Sequence, residues 1–140
     1  MERAEMRIAN KIGELESVRL WVEGFGATHN LSPRVLTSLL VSFDEVLNNL
    51  ISYGYADQDR HEIVLRLALD ESAVSGEIED DGVPYDPLVA GPPKLEGGIA
   101  ERPVGGLGIH FLRTLNDEVT YQRNGKINWL RFQKRFVNAP

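Results

Sequence analysis

The run SPRVLTSLLVSFDEVLNNLISYGY, from Ser32 to Tyr55, constrains the fold more than any other stretch of the chain. Leu36, Leu39, Leu40, Phe43, Val46, Leu47, Leu50 and Ile51 recur at helical spacing and make a wide apolar face, which predicts a long, mostly buried helix. Ser32 is placed to cap it, Pro33 occupies the first helical position, where its missing N–H costs nothing, and Gly54 marks the end. Asp44, Glu45, Asn48 and Asn49 sit among the leucines of this same helix. An amide buried there costs about 1–3 kcal/mol unless something binds it. The helix therefore raises a chemical question as well as a structural one.

The flanking segments supply what the helix must pack against. Residues 4–12 alternate mildly through Met6, Ile8 and Ile12, suggesting a first strand at a sheet edge. After Gly13, Val18, Trp21, Val22 and Phe25 predict a helix that Gly24, Gly26 and Asn30 break. HEIVLRLALD and SAVSGEIED alternate on either side of Asp70-Glu71-Ser72, as an antiparallel hairpin does. Residues 82–106 hold six of the 13 glycines and five of the seven prolines without periodicity, which predicts a long functional or mobile loop. LGIHFLRTLND reads as a short helix, and EVTYQRNGKINWLRFQKRF as a hairpin whose Asn124-Gly125 signals a type I′ turn. The expected fold is a single α+β domain over residues 1–140, a two-layer sandwich with a mixed, mostly antiparallel sheet packed on helices.

Composition narrows the function classes. The net charge is -6 and the basic residues are scattered, so direct nucleic-acid binding is not expected. With no cysteine, thiol catalysis and disulfides are excluded. The N-terminus lacks the apolar stretch of a signal peptide and no run looks long enough to span a bilayer, so a cytoplasmic protein without membrane contact is expected.

Three constellations could carry chemistry. Glu45 and Asn49, one helical turn apart, lie on one face. The carboxylate suits a proton acceptor and the amide oxygen a hard cation such as Mg²⁺; alternatively, both mark the solvent boundary of an amphipathic helix. Asn48 poses the same choice with a weaker case. In EDDGVPYDP, Asp80, Asp81, Gly82 and Asp86 cluster at the mouth of the long loop. A carboxylate there can accept from an exocyclic amine such as adenine N6, and a glycine admits a ring close to the backbone; an ordinary acidic turn is the alternative. In GGLGIHFLR, glycines before a helix can expose N–H groups to phosphate, or simply end a loop.

In this order, the three segments resemble the GHKL, or Bergerat-type, ATP-binding fold: EVLNN matches its N-box, DDGVPYDP its G1 box and GGLG its G2 box. The small size, the YDP of the G1 box and GGLGIHFLRTLNDEVTYQR resemble the RsbW-like anti-sigma-factor serine kinases. The resemblance implies that Glu45 is the general base for an acceptor serine and that Asn49 coordinates Mg²⁺. It implies that Asp80 and Gly82, in a G1 box reaching Asp86, hold the adenine of ATP. Gly106 and Gly108, with Leu107 between them, would meet the phosphates, and residues 88–104 would form an ATP lid. Lys94 and Arg102 are the lid's candidate phosphate cations, with solvated surface charge as the alternative.

The implied partners are a STAS-domain anti-sigma antagonist phosphorylated on serine, a sigma factor held by sequestration, and possible homodimers. A nucleotide-gated binding module without kinase turnover is the alternative function; a detached histidine-kinase catalytic domain ranks behind both. Two departures stand out. Tyr53 occupies a position where such kinases often carry histidine, read as a packing variant. The last hairpin lacks a Gly-Thr pair, which leaves one nucleotide contact unassigned. His29, His61 and His110 fall outside the matched positions and are read as surface or satisfied core residues.

Overall fold

The computed structural model describes residues 1–84 and 112–136. Strand β1, Glu2–Ala9, leads through a 3-10 turn, Ile12–Glu14, into helix α1, Leu15–Thr28, and helix α2, Pro33–Tyr53. Strands β2, Glu62–Leu69, and β3, Ala73–Asp80, form the first hairpin; β4, Glu118–Asn124, and β5, Ile127–Arg135, form the second. Residues 112–115 are helical. The five strands run in the order β1-β2-β3-β5-β4, each antiparallel to its neighbours. The expected α+β sandwich is therefore present, with β1 at an edge and no parallel pair among the described residues.

The helical layer rests on one stripe of α2. Val35, Leu39, Phe43 and Leu47, spaced by four, are buried against the sheet residues Ile63, Leu65, Leu67, Val74, Ile78, Leu130 and Phe132. Phe43 joins the layers, meeting Trp21 of α1 edge-on at 6.0 Å and Phe132 of β5 at 5.0 Å and 76°. Ser38 and Ser42, also buried on this helix, are satisfied: Ser38 Oγ donates to the Arg34 carbonyl, and Ser42 Oγ accepts from Asn116 Nδ2 at 2.8 Å.

The sequence-based outline needs several corrections. The first strand ends at Ala9, and Ile12 lies exposed in the 3-10 turn. Helix α1 continues through Gly24 and Gly26, because Gly26 is a contact residue: a Cβ there would come within 2.9 Å of Leu36 Cδ1. The chain turns only at Asn30, whose φ of 55° is left-handed, while the Leu31 N–H reaches back to the Gly26 carbonyl. Helix α2 starts as expected, with the Val35 N–H donating to Ser32 Oγ at 3.3 Å. It is less enclosed than its sequence suggests, since Leu36, Leu40, Val46, Leu50 and Ile51 remain half-buried. By length and composition α2 would suffice to cross a membrane, contrary to the sequence expectation; its stripe packed on the sheet accounts for its apolar content. The second hairpin turns at Gly125-Lys126, between paired Asn124 and Ile127, and only Gly125 has positive φ, at 61°. That pattern fits a type II′ turn and excludes type I′, which needs positive φ at both central residues.

Gly76 of β3 lies opposite Phe132 in the β3–β5 register, and a Cβ on it would sit 2.6 Å from the Phe132 ring and 2.9 Å from Phe43 Cζ. Gly76→Ala should therefore destabilise the protein by about 1–3 kcal/mol through overpacking. A urea titration should show a lower midpoint with an unchanged slope.

Candidate functional site

The polar end of α2 distinguishes its two asparagines. Asn48 Nδ2 donates back to the Asp44 carbonyl at 2.8 Å and is satisfied by its own helix. Asn49 Nδ2 is buried and has no hydrogen-bond partner among the described residues. Turning the amide over exchanges nitrogen for oxygen, so the same position can present a donor to an anion or an oxygen to a cation. One turn earlier, Glu45 is half-buried and borders a groove of about 400 Å³ between α1 and α2, shared with Leu15, Arg19, Leu40, Val41 and Asp44. Tyr53 is 57% exposed, so it is a surface residue and not the packing variant read from the sequence.

Beyond Tyr53, the carbonyl end of α2 docks on the loop that follows β3. The Val83 N–H donates to the Gly54 carbonyl at 2.7 Å, and a Cβ on Gly82 would lie only 2.3 Å from that same oxygen. Gly82 is thus required by close approach to the helix end, a reason additional to the ring approach suggested by the sequence. This contact brings the Asn49 end of α2 and Asp80 of β3 to neighbouring strand and helix termini.

Asp80 faces inward at the end of β3 and is 8% exposed. Its Oδ1 accepts from the Gly82 N–H at 2.8 Å and from Asn128 Nδ2 at 2.9 Å. Burial raises its pKa above the usual carboxylate range, against the lowering effect of those two donors. Asp81, next in sequence, is exposed and does different work: with Asp57 it clasps His61. His61 Nδ1 lies 3.0 Å from Asp81 Oδ1 and Nε2 lies 2.7 Å from Asp57 Oδ1, while the imidazole stacks on Tyr55 at 4.3 Å and 21°. Both contacts are hydrogen bonds only when both ring nitrogens carry hydrogen, so this geometry favours the imidazolium. The hydrogen bond to Asp57 is the main cause of the raised His61 pKa and also lowers that of Asp57. The Tyr55 hydroxyl is buried without a partner among the described residues, and burial, aided by Asp80, Asp81 and Asp57, raises its pKa.

Two functional candidates escaped the sequence reading. Asn128 was hidden in the hairpin without a Gly-Thr pair, although a polar residue on the inward face that continues through Leu130 and Phe132 was a detectable break in alternation. The His61 clasp joins a local i,i+4 partner, Asp57, to Asp81 from a separate segment, and that second half no local pattern reveals; His29 instead packs its ring on Phe25. Asp86, Lys94, Arg102, Gly106, Leu107, Gly108, His110 and the expected lid at 88–104 lie outside the described residues.

With this arrangement described, comparison with known proteins decides the family: residues 8–134 match the histidine kinase-like ATPase domain. The chain belongs to that family. This histidine kinase-like ATPase domain is 31% identical over 110 residues to the serine/threonine-protein kinase BtrW of Bordetella bronchiseptica, covering 79% of this chain and 78% of that protein. It is 24% identical over 127 residues to the serine-protein kinase RsbW of Bacillus velezensis, covering 88% and 79% respectively. Among solved structures, that of the RsbU and RsbW domains of Rv1364c from Mycobacterium tuberculosis has the same fold, with a TM-score of 0.71 at 14% identity. The match covers 99% of this chain and 34% of the Rv1364c chain. The GHKL-type fold and the relationship to RsbW-type kinases expected from the motifs are thereby established.

His61 makes the domain's stability depend on pH. A histidine with a higher pKa in the folded state contributes stability that is complete below its unfolded value, roughly 6.5, and fades as pH rises through the folded value. Urea titrations at pH 6 and pH 8 should show wild type losing stability across this window, and His61→Asn losing less. Equal losses would assign the pH dependence to other groups.

Proposed function

We propose that this chain is an ATP-dependent serine kinase that phosphorylates a STAS-type anti-sigma antagonist, sequesters a sigma factor, or does both in alternation. The observation that carries the reading is the buried Asn49 Nδ2, without a hydrogen-bond partner among the described residues, one turn after Glu45. A buried amide without a protein partner is costly unless a ligand engages it, and the family is one of ATPases. The names of BtrW and RsbW support serine as the acceptor.

The residues fit ATP with Mg²⁺. Asn49 offers a hard oxygen ligand, of which Mg²⁺ needs few because it keeps several waters. Bound there, the cation supplies charge neutralisation for the triphosphate. Asp80, held by Gly82 and Asn128, presents a carboxylate acceptor suited to the adenine amino group. Asp86 belongs to the same box by motif, as do Gly106, Leu107 and Gly108 for phosphate, with Lys94 and Arg102 in a lid over residues 88–104. Glu45 takes the proton of the acceptor serine, and its position on the open groove between α1 and α2 leaves it accessible to a protein segment. Positioning and charge neutralisation then supply most of the rate, as in other phosphoryl transfers. The partner's phosphoserine adds nearly two negative charges, enough to change which surface it binds.

Two variants separate nucleotide binding from transfer. At 100 times its dissociation constant, Mg·ATP should stabilise wild type by about 2.7 kcal/mol, read as a raised thermal midpoint; Asn49→Ala should lose most of that shift. Glu45→Gln should retain it while phosphate transfer to a STAS-domain substrate falls by about 10²-fold or more. A shift without transfer in wild type would favour a nucleotide-gated binding module, and no shift at millimolar nucleotide would remove ATP from the proposal.

A further inference from the structure

Asn128 occupies an inward position on β5 where the alternation otherwise places Leu130 and Phe132, and it is 6% exposed. Its register partner across the β3–β5 ladder is Asp80. The orientation of the amide is fixed from its oxygen side. Oδ1 accepts from the Tyr121 hydroxyl at 2.5 Å and from Arg123 Nη1 at 3.1 Å, so Nδ2 must point the other way. There it donates to Asp80 Oδ1 at 2.9 Å, with the carbonyls of Val83 and Gly82 at 3.0 and 3.2 Å sharing its second hydrogen.

The consequence lies on the carboxylate. Oδ1 of Asp80 receives both the Asn128 amide and the Gly82 N–H, whereas Oδ2 receives no hydrogen bond among the described residues. Two donors on one oxygen favour the ionised form, opposing the burial that raises the pKa, and in that form Oδ2 accepts and cannot donate. An ionised acceptor suits a 6-amino purine and opposes a 6-oxo purine, whose oxygen also requires a donor.

We propose that Asn128 is a positioning residue that keeps Asp80 a dedicated acceptor and thereby selects 6-amino over 6-oxo purine nucleotides. The proposal rests on the assignment of Asp80 to the base of ATP. It gives the second hairpin a part in recognition that its sequence, without a Gly-Thr pair, left unassigned. Removing the Asn128 donor leaves Asp80 buried beside Asp81, with the Gly82 N–H and Arg123 still opposing burial, and shifts the balance toward the neutral acid, which can donate to a 6-oxo group.

The test compares ATP with inosine triphosphate, which carries oxygen in place of the 6-amino group, by titration calorimetry in the presence of Mg²⁺. Wild type should prefer ATP. Asn128→Ala should weaken ATP about tenfold, the loss expected for one hydrogen bond to a charged group, while inosine triphosphate changes little, so the preference narrows by a similar factor. Asn128→Ser, whose hydroxyl can still donate, should recover part of the preference. Tyr121→Phe, which leaves Asn128 in place and removes one donor fixing its amide, should narrow the preference less than Asn128→Ala; it also decides the matter if Asn128→Ala does not fold.

A merely structural role would weaken both nucleotides equally and leave their ratio untouched, and that result in the folded variants overturns the proposal while ATP binding stands. Wild type that binds neither nucleotide overturns this inference together with the proposed function.

Discussion

The contact on which the rest of the structure depends is the seating of Phe43 against Phe132 over Gly76. A side chain at Gly76 would enter the space of both rings, so the glycine lets α2 approach the sheet at this point. Trp21 extends the aromatic contact into α1, joining both helices and the sheet in one core. The contact lies midway along α2, so it anchors the helix whose later turns carry the polar residues. Its last turns pass Glu45 and Asn49 and finish where Gly54 meets the loop after β3. The hydrophobic packing thereby places the polar chemistry, and the helix needs no separate device to aim it.

At that junction a few polar contacts make a framework. The carbonyl end of α2 is met by the Val83 N–H, Asp80 is held by Gly82 and Asn128, and Asn128 is held in turn by Tyr121 and Arg123. His61 ties the segment after α2 to Asp81 on the other side of Asp80. Charge is divided by environment: two neutral donors oppose the burial that raises the pKa of the inward acid, and the exposed acids flank a histidine whose pKa they raise. Adjacent aspartates thus have separate surroundings: Asp80 is held inward by Gly82 and Asn128, and Asp81 closes on His61.

Much of this was legible in the sequence because it is encoded locally. Ser32 and Pro33 fix the start of α2, alternation identifies β2 and β3, and the motif Glu45-x-x-x-Asn49 depends on spacing within one helix. Other features depend on residues distant in sequence. Gly24 and Gly26 resemble helix breakers until Leu36 is seen against Gly26, where tertiary contact overrides propensity. Asn124-Gly125 carries a familiar turn signal, but the strand register moves the turn by one residue. Asn48 and Asn49 look alike in sequence; only the back-bond of Asn48 to Asp44 separates the satisfied amide from the one without a partner among the described residues.

The pairing of Gly76 with Phe132 has a consequence outside the core. Strand side chains alternate, so a slip of one residue between β3 and β5 would turn every facing pair over. It would bring Ile127 or Trp129 opposite Asp80 in place of Asn128. Because Phe132 fits only where β3 lacks a side chain, the aromatic core acts as a registration mark for a polar pair four residues along the same two strands. Volume in the oily interior and the Asp80–Asn128 pairing at the sheet end are read on one ruler, and a substitution that changes the first can shift the second without touching it.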